Sequence, residues 1–217
     1  MTHRFSELMF TPRVKSVQAA EGSRASYSRF ERPDSTARDH LADAERDFIA
    51  TRDSFYMATV SETGWPYVQH RGGPPGFLKV LDDQTLGFLD YRGNRQYVSV
   101  GNLLGDDRIA LFLMDYPAQR RLKIIGHARI AEAGEETEQI RSLQDPLYGA
   151  RAERAIIVKV EGYDWNCPQH IVARFTQAQI ADSLDAVRER MAALEAENAV
   201  LRRRLRTAEG RTDDAVE

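Results

Sequence analysis

A chain of 217 residues, 42% hydrophobic and 29% charged, is long enough for one well-buried domain with appendages and short for two full domains. A formal net charge of -3 excludes a globally basic binder of nucleic acid or anionic membrane, and the lone cysteine, Cys167, excludes an intramolecular disulfide framework and fits a reducing compartment. No apolar run approaches the ~18 residues of a membrane span, and the opening MTHRFSELMFTPRV lacks the continuous apolar stretch of a secretory signal, so a cytoplasmic location is expected.

Residues 1–35 read as a polar arm with a little helix. Thr11 and Pro12 form a cap and first-turn proline ahead of Val14 and Val17, and the stretch from Gly22 to Pro33 reads as irregular. A helix is expected over about Thr36 to Arg52, with Leu41, Ala44, Phe48 and Ile49 on one face. Strands follow at about 55–61, 66–72, 76–82, 85–91, 108–114, 121–132 and 154–161, with a hairpin-type turn at Asp82 and Asp83. Helices at about 95–104 and 134–145 interrupt the series. Many short strands with few helices point to a mainly β fold, a small closed or split barrel that leaves few edges exposed.

The turn Asp90-Tyr91-Arg92-Gly93-Asn94-Arg95-Gln96 is the most informative chemically. Asn94 can cap a helix whose first turn holds Arg95, and free backbone N–H groups beside a guanidinium suit a phosphate. On the strand Tyr67 to Arg71, alternation puts Gln69 and Arg71 on one face and His70 on the other. No carboxylate pair, nucleophile–base pair or metal motif points to hydrolysis. Cys167 and His170 supply two ligands, where a closed zinc site takes four. His70 and His127 sit in alternating strands, where a hydrogen-bonded structural role is expected.

Beyond about residue 179 the pattern changes in kind. Leu184, Met191, Asn198 and Leu205 fall at position a of a heptad, and Val187, Leu194 and Leu201 at d. Arg190, Glu197 and Arg204 then fall at g, opposite Glu195, Arg202 and Glu209 at e of a parallel, in-register partner, and every pair is opposite in sign. A coiled-coil helix over 179–209 is expected, with a frayed tail over 210–217.

The blocks GWPYVQHRGGPPGFLKVLDD (64–83) and LGFLDYRGNRQYVSVGN (86–102), with the later DWNCPQHI (164–171), resemble the pyridoxamine 5'-phosphate oxidase-like split-barrel flavoproteins, and more closely their predicted flavin-nucleotide-binding branch. The resemblance spans about residues 37–178, so a split-barrel domain is expected over 36–178. It implies a homodimer with FMN in two equivalent interface clefts, and a nicotinamide cofactor or a reductase as electron source. The family's helix-opening Ser-Arg-Lys matches Asn94, Arg95 and Gln96, which makes Arg95 the leading phosphate ligand. With glutamine in place of lysine, Arg71 or Arg92 must supply a further charge. Lys79 lies on the strand that carries a basic residue in the family. The resemblance also implies Gln69, Arg71, Lys79 and Tyr91 near the flavin, and Trp165, with Asn166 or Gln169, as a wall of the cleft across the dimer interface. The family's Arg-Leu-type substrate motif is replaced here by Asp164-Trp165-Asn166-Cys167-Pro168-Gln169-His170, so a substrate other than vitamin B6 is expected. An FMN-dependent oxidoreductase is the leading expectation. A non-catalytic flavin-binding or stress-response protein, or a split barrel holding haem or a deazaflavin, is the alternative.

Overall fold

Alternation of apolar and polar residues makes the centre of the chain a sheet. In the computed structural model, which describes residues 3–31, 37–132, 137–165 and 168–213, there are seven strands. They are β1 (Ser54–Val60), β2 (Pro66–Gly72), β3 (Lys79–Asp82), β4 (Thr85–Tyr91), β5 (Arg108–Asp115), β6 (Arg120–Glu132) and β7 (Ala152–Trp165). Every neighbouring pair is antiparallel, in the order β2-β1-β5-β6-β7-β4-β3. The strands expected at 66–72 and 85–91 occupy those residues, whereas the one expected at 154–161 extends over Ala152–Trp165. The run expected from residue 76 is strand only from Lys79. Gly76 takes φ +76°, its N–H bonds the Arg52 carbonyl at 2.9 Å, and a Cβ there would meet the Ala50 carbonyl oxygen at 2.7 Å. Only glycine fits that turn.

Strand β1 and strand β4 are far apart in the sheet order, yet their phenyl rings touch. Phe55 stacks on Phe77 at 5.4 Å between centroids and meets Phe88 edge-on at 5.1 Å. The sheet therefore curls, and the inside of the curl is the core, with Phe55, Met57, Leu86, Phe88, Leu111, Leu113, Leu122 and Ile124 essentially solvent-free. Each such side chain contributes roughly 1.5–3 kcal/mol through burial.

Helices cover the barrel's flanks. Helix α1 (His3–Met9) buries Phe5 and is clamped by Glu161, which accepts Arg4 Nε at 3.1 Å and Arg38 Nε at 2.6 Å. Burial would raise the Glu161 carboxyl, but Arg38 and Arg4 hold it below its ordinary range. The arm is thus tied to β7 at its start. Helix α2 (Pro12–Ala20) carries the expected cap, Thr11 Oγ1 accepting the Val14 N–H at 3.4 Å. Helix α3 (Arg24–Ser28) lies where an irregular stretch was expected.

Helix α4 (Asp43–Ala50) begins later than the expected Thr36, which lies outside the described residues. Glu45, on its first turn, accepts the Ala42 N–H at 3.0 Å and so fixes the start. Ala44 is exposed, and Glu45 takes its expected place beside Phe48 and Ile49 on the buried face. Helix α5 is Val98–Gly105. Helix α6 (Glu138–Ser142) is shorter than the expected 134–145, whose first three residues lie outside the described ones.

The chain divides into two compact units, Met1–Val172 and Ala173–Glu217. The second is helix α7 (Gln177–Asp213) with its lead-in; helix extends past Gly210, and residues 214–217 lie outside the described ones. Among the described residues no helix is long and apolar enough to cross a membrane.

Candidate functional site

The curl of the sheet brings two strands together that share no backbone hydrogen bonds. Gln69 and Arg71 alternate inward on β2, as expected, while His70 points out and meets the Tyr56 ring edge-on at 5.6 Å. Across the split, Arg71 Nη1 donates to one oxygen of Asp90 near the end of β4. Arg154 Nη1 on β7 donates to the other oxygen at 3.0 Å. Asp90 is buried, and both guanidiniums are nearly so. Arg71 Nε is buried with no hydrogen-bond partner among the described residues, a costly condition for a cationic donor unless a ligand supplies an acceptor.

The loop after β4 departs from the expected helix start. Helix α5 begins at Val98, not near Arg95. Asn94 Oδ1 accepts the Gln96 N–H at 3.1 Å, which closes a local turn instead of capping a helix. Arg95 (φ 62°) and Tyr97 (φ 53°) both adopt left-handed backbone, a strained state for non-glycine residues that concentrates at binding sites. Arg95 Nε donates to the Tyr97 hydroxyl at 3.3 Å, and that hydroxyl donates to Glu153 Oε1 at 3.2 Å. The Arg154 guanidinium lies 5.0 Å from the centre of the Tyr97 ring. Helix α5 is pinned beneath the loop, with Ser99 Oγ donating to Gln69 Oε1 at 2.7 Å and Asn102 Nδ2 to Thr59 Oγ1 at 2.9 Å.

These groups wall a cleft of about 190 Å³, in which Gln69, Arg71, Tyr91, Asn94 and Arg95 meet Asp90, Tyr97, Ser99 and Glu153. Arg92 stands beside it, its Nε 3.8 Å from Glu153. The cleft wall itself is balanced, with Arg71 and Arg95 against Asp90 and Glu153. Arg92 and Arg154, which approach those carboxylates from outside the wall, leave the six-residue cluster with two surplus positive charges, a character that suits an anion.

The other expected residues lie elsewhere. Gln96 is exposed and held by Asn94, and Lys79 sits on β3 opposite Gly87, outside the cleft wall. Trp165 is at the far end of β7 from Glu153. Its indole N–H donates to Glu45 Oε1 at 2.5 Å, its ring meets Phe48 edge-on at 4.8 Å, and Arg120 stacks on it at 4.6 Å. Asn166 and Cys167 lie outside the described residues, and Gln169 and His170 are exposed. His127 is held by Asp107 at 2.8 Å, in the structural role expected of it.

Asp90, Tyr97, Ser99, Glu153 and Arg154 were not singled out from sequence. Asp90 alone gave a signal, as a charge in the otherwise apolar strand TLGFLDY. A second cavity, of about 530 Å³, shares Tyr91 and Glu153 with the cleft, and Arg154 lines it. There Tyr91 meets Tyr148 edge-on at 5.0 Å, and burial, then Tyr148 and Asp145, push its phenol above the ordinary value.

An antiparallel sheet curled into a split barrel, with an arginine-lined cleft at the split, defines the class. Residues 41–167, more than half of the chain, match the Pyridoxamine 5'-phosphate oxidase family, and the chain belongs to it. No curated protein matches the sequence. Similar solved structures include HupZ of Group A Streptococcus, at 17% identity and TM-score 0.47, covering 62% of this chain and 99% of that one. An FMN-binding protein of Syntrophomonas wolfei is 14% identical with TM-score 0.41, covering 56% of this chain and 83% of that one. HutZ, described as the heme storage protein of Vibrio cholerae, is 17% identical with TM-score 0.38, covering 58% and 94%.

Proposed function

We propose that this chain is an FMN-binding flavoprotein acting as an oxidoreductase, with the cofactor's phosphate seated in the cleft between β2, the 91–97 loop and β7. The observation that carries this reading is Arg71, a buried guanidinium whose Nε lacks a partner among the described residues, on the wall of a cleft that Arg95 also lines. When bound, FMN supplies the hydride and electron chemistry. The chain's own residues bind and orient. Arg71 and Arg95 meet the phosphate, and Asp90 fixes Arg71 from behind. Ser99 occupies the Gln69 carbonyl, which leaves the Gln69 amide NH2 to donate to the cofactor.

The cleft is below the ~300 Å³ at which sites for drug-sized ligands begin. A second copy would complete it, and the outer face of β1, β2, β5 and β6 offers an apolar surface for one, with Tyr56, Val68 and Phe112. The substrate is other than vitamin B6, and reducing equivalents come from a nicotinamide or a reductase partner.

The test is the ultraviolet–visible spectrum of the purified protein, identification of what denaturation releases, and FMN titration of the wild type and Arg95→Ala. Flavin bands and released FMN are expected, with affinity falling about 10- to 100-fold in the variant, the span of one or two charge-assisted hydrogen bonds. A colourless protein that ignores added FMN overturns the reading, and a Soret band assigns the cleft to haem. Bound FMN with no NADH or NADPH turnover in the presence of an acceptor would leave a non-catalytic flavin carrier.

A further inference from the structure

Helix α7 is 37 residues, about 55 Å, and carries a row of large, exposed apolar side chains. Leu184, Val187, Met191, Leu194, Leu201 and Leu205 are each between 40% and 59% exposed. They recur every three and four residues, the 3.5 period of a two-helix seam and not the broader stripe of a helix lying on a core. Beside the seam, Arg190, Glu195, Glu197 and Arg202 are all exposed.

The seam itself says what covers it. Laid parallel and in register against a second copy, Arg190 faces Glu195 and Glu197 faces Arg202, each pair opposite in sign. The direction is set by Asn198. Any antiparallel arrangement brings an a position against a d position, so the Asn198 amide would face Leu194 or Leu201 and lose its hydrogen bonds. Only the parallel, in-register arrangement puts Asn198 against Asn198, where two amides satisfy each other. An unrelated helix would need both the charge order and an amide at one matching level.

We propose that α7 is a zipper along which a second copy of this chain docks, parallel and in register, with Asn198 paired across the two-fold axis. The zipper holds two barrels in one particle whether or not a cofactor is bound. One cyclic operation can serve both the helices and the barrels, and the tether raises the effective concentration of one barrel for the other toward the millimolar range.

The test is cysteine crosslinking of the full chain in a Cys167→Ser background, with and without added FMN. Leu201→Cys, at d, is expected to give a disulfide-linked dimer on oxidation in both conditions. Ala196→Cys, on the outer face at f, is expected to stay uncrosslinked under the same treatment. A Leu201→Cys protein that retains its helical circular dichroism and yields no crosslinked dimer overturns the zipper. Equal crosslinking at both positions overturns it as well, since that reports random collision. Asn198→Leu provides a second reading: its mass by sedimentation should move from two chains toward three or four as the buried amide is lost, and an unchanged two-chain mass removes Asn198 as the determinant. Because crosslinking is read without FMN, it fails or succeeds independently of the flavin assignment.

Discussion

The barrel and helix α7 place their apolar residues in opposite ways. Between Met1 and Val172 the large side chains of β1, β4, β5 and β6 close on one another within a single copy. From Gln177 onward a regular helix displays leucines to solvent at fixed intervals. Hydrophobic periodicity alone does not tell a core from an interface. What separates the two is the company the apolar residues keep: hairpin partners and turns in the barrel, and charges of matched sign with one buried-type amide in α7.

The sharpest way to break the comparison is to disrupt the barrel and ask whether α7 notices. Asp90→Ala leaves the Arg71 and Arg154 guanidiniums facing each other without their carboxylate. Removing one member of a buried ionic cluster costs about 3–5 kcal/mol, so urea denaturation should show a large loss of barrel stability, while crosslinking at position 201 persists. Barrel stability unchanged by this substitution would show that the split is held by its apolar lining alone.

A smaller effect follows from Glu161, which ties α1 to β7. Its folded-state pKa lies below the ordinary 4.5, so its stabilisation is complete above pH 4.5 and is lost as pH falls through the lower folded value. Stability measured from pH 6 down to 3 should drop for the wild type and flatten in Glu161→Gln. Identical profiles would mean that other carboxylates dominate.

The smallest effect belongs to Tyr97→Phe, which removes the hydroxyl between Arg95 and Glu153. A neutral hydrogen bond is worth about 0.5–1.5 kcal/mol, so FMN should bind several-fold more weakly. In an Arg95→Ala background the same change should do nothing further, since Tyr97 acts by positioning Arg95. Additive losses would give Tyr97 a contact of its own.

Residues that report locally were readable in advance. Strand β2 declares itself by alternation and β4 as a short apolar run, both bounded by Gly, Pro or Asp turns, and Thr11 with Pro12 announces α2. Gln69 and Arg71 could be paired on one face because a strand's period is two. The start of α5 was misplaced because Asn94 had two local uses, and the turn to Gln96 won over the helix cap. The rest of the cleft is a tertiary product. Arg154 reaches Asp90 across 64 residues of chain, and Tyr97 reaches Glu153 across 56. Neither pairing leaves a trace in spacing or composition. Trp165 was drawn to the cleft by its chemistry, yet within this chain it packs against Glu45 and Phe48.

The burial of Asp90 between two guanidiniums bears on how the molecule responds to ionic strength. In about 1 M salt the screening length shrinks to roughly 3 Å, which weakens solvent-facing pairs such as Arg188 with Asp185 on α7 but leaves a desolvated triad nearly untouched. The Arg71–Asp90–Arg154 cluster is therefore built to outlast concentrated electrolyte. Salt becomes a lever that acts on exposed pairs and spares the buried one.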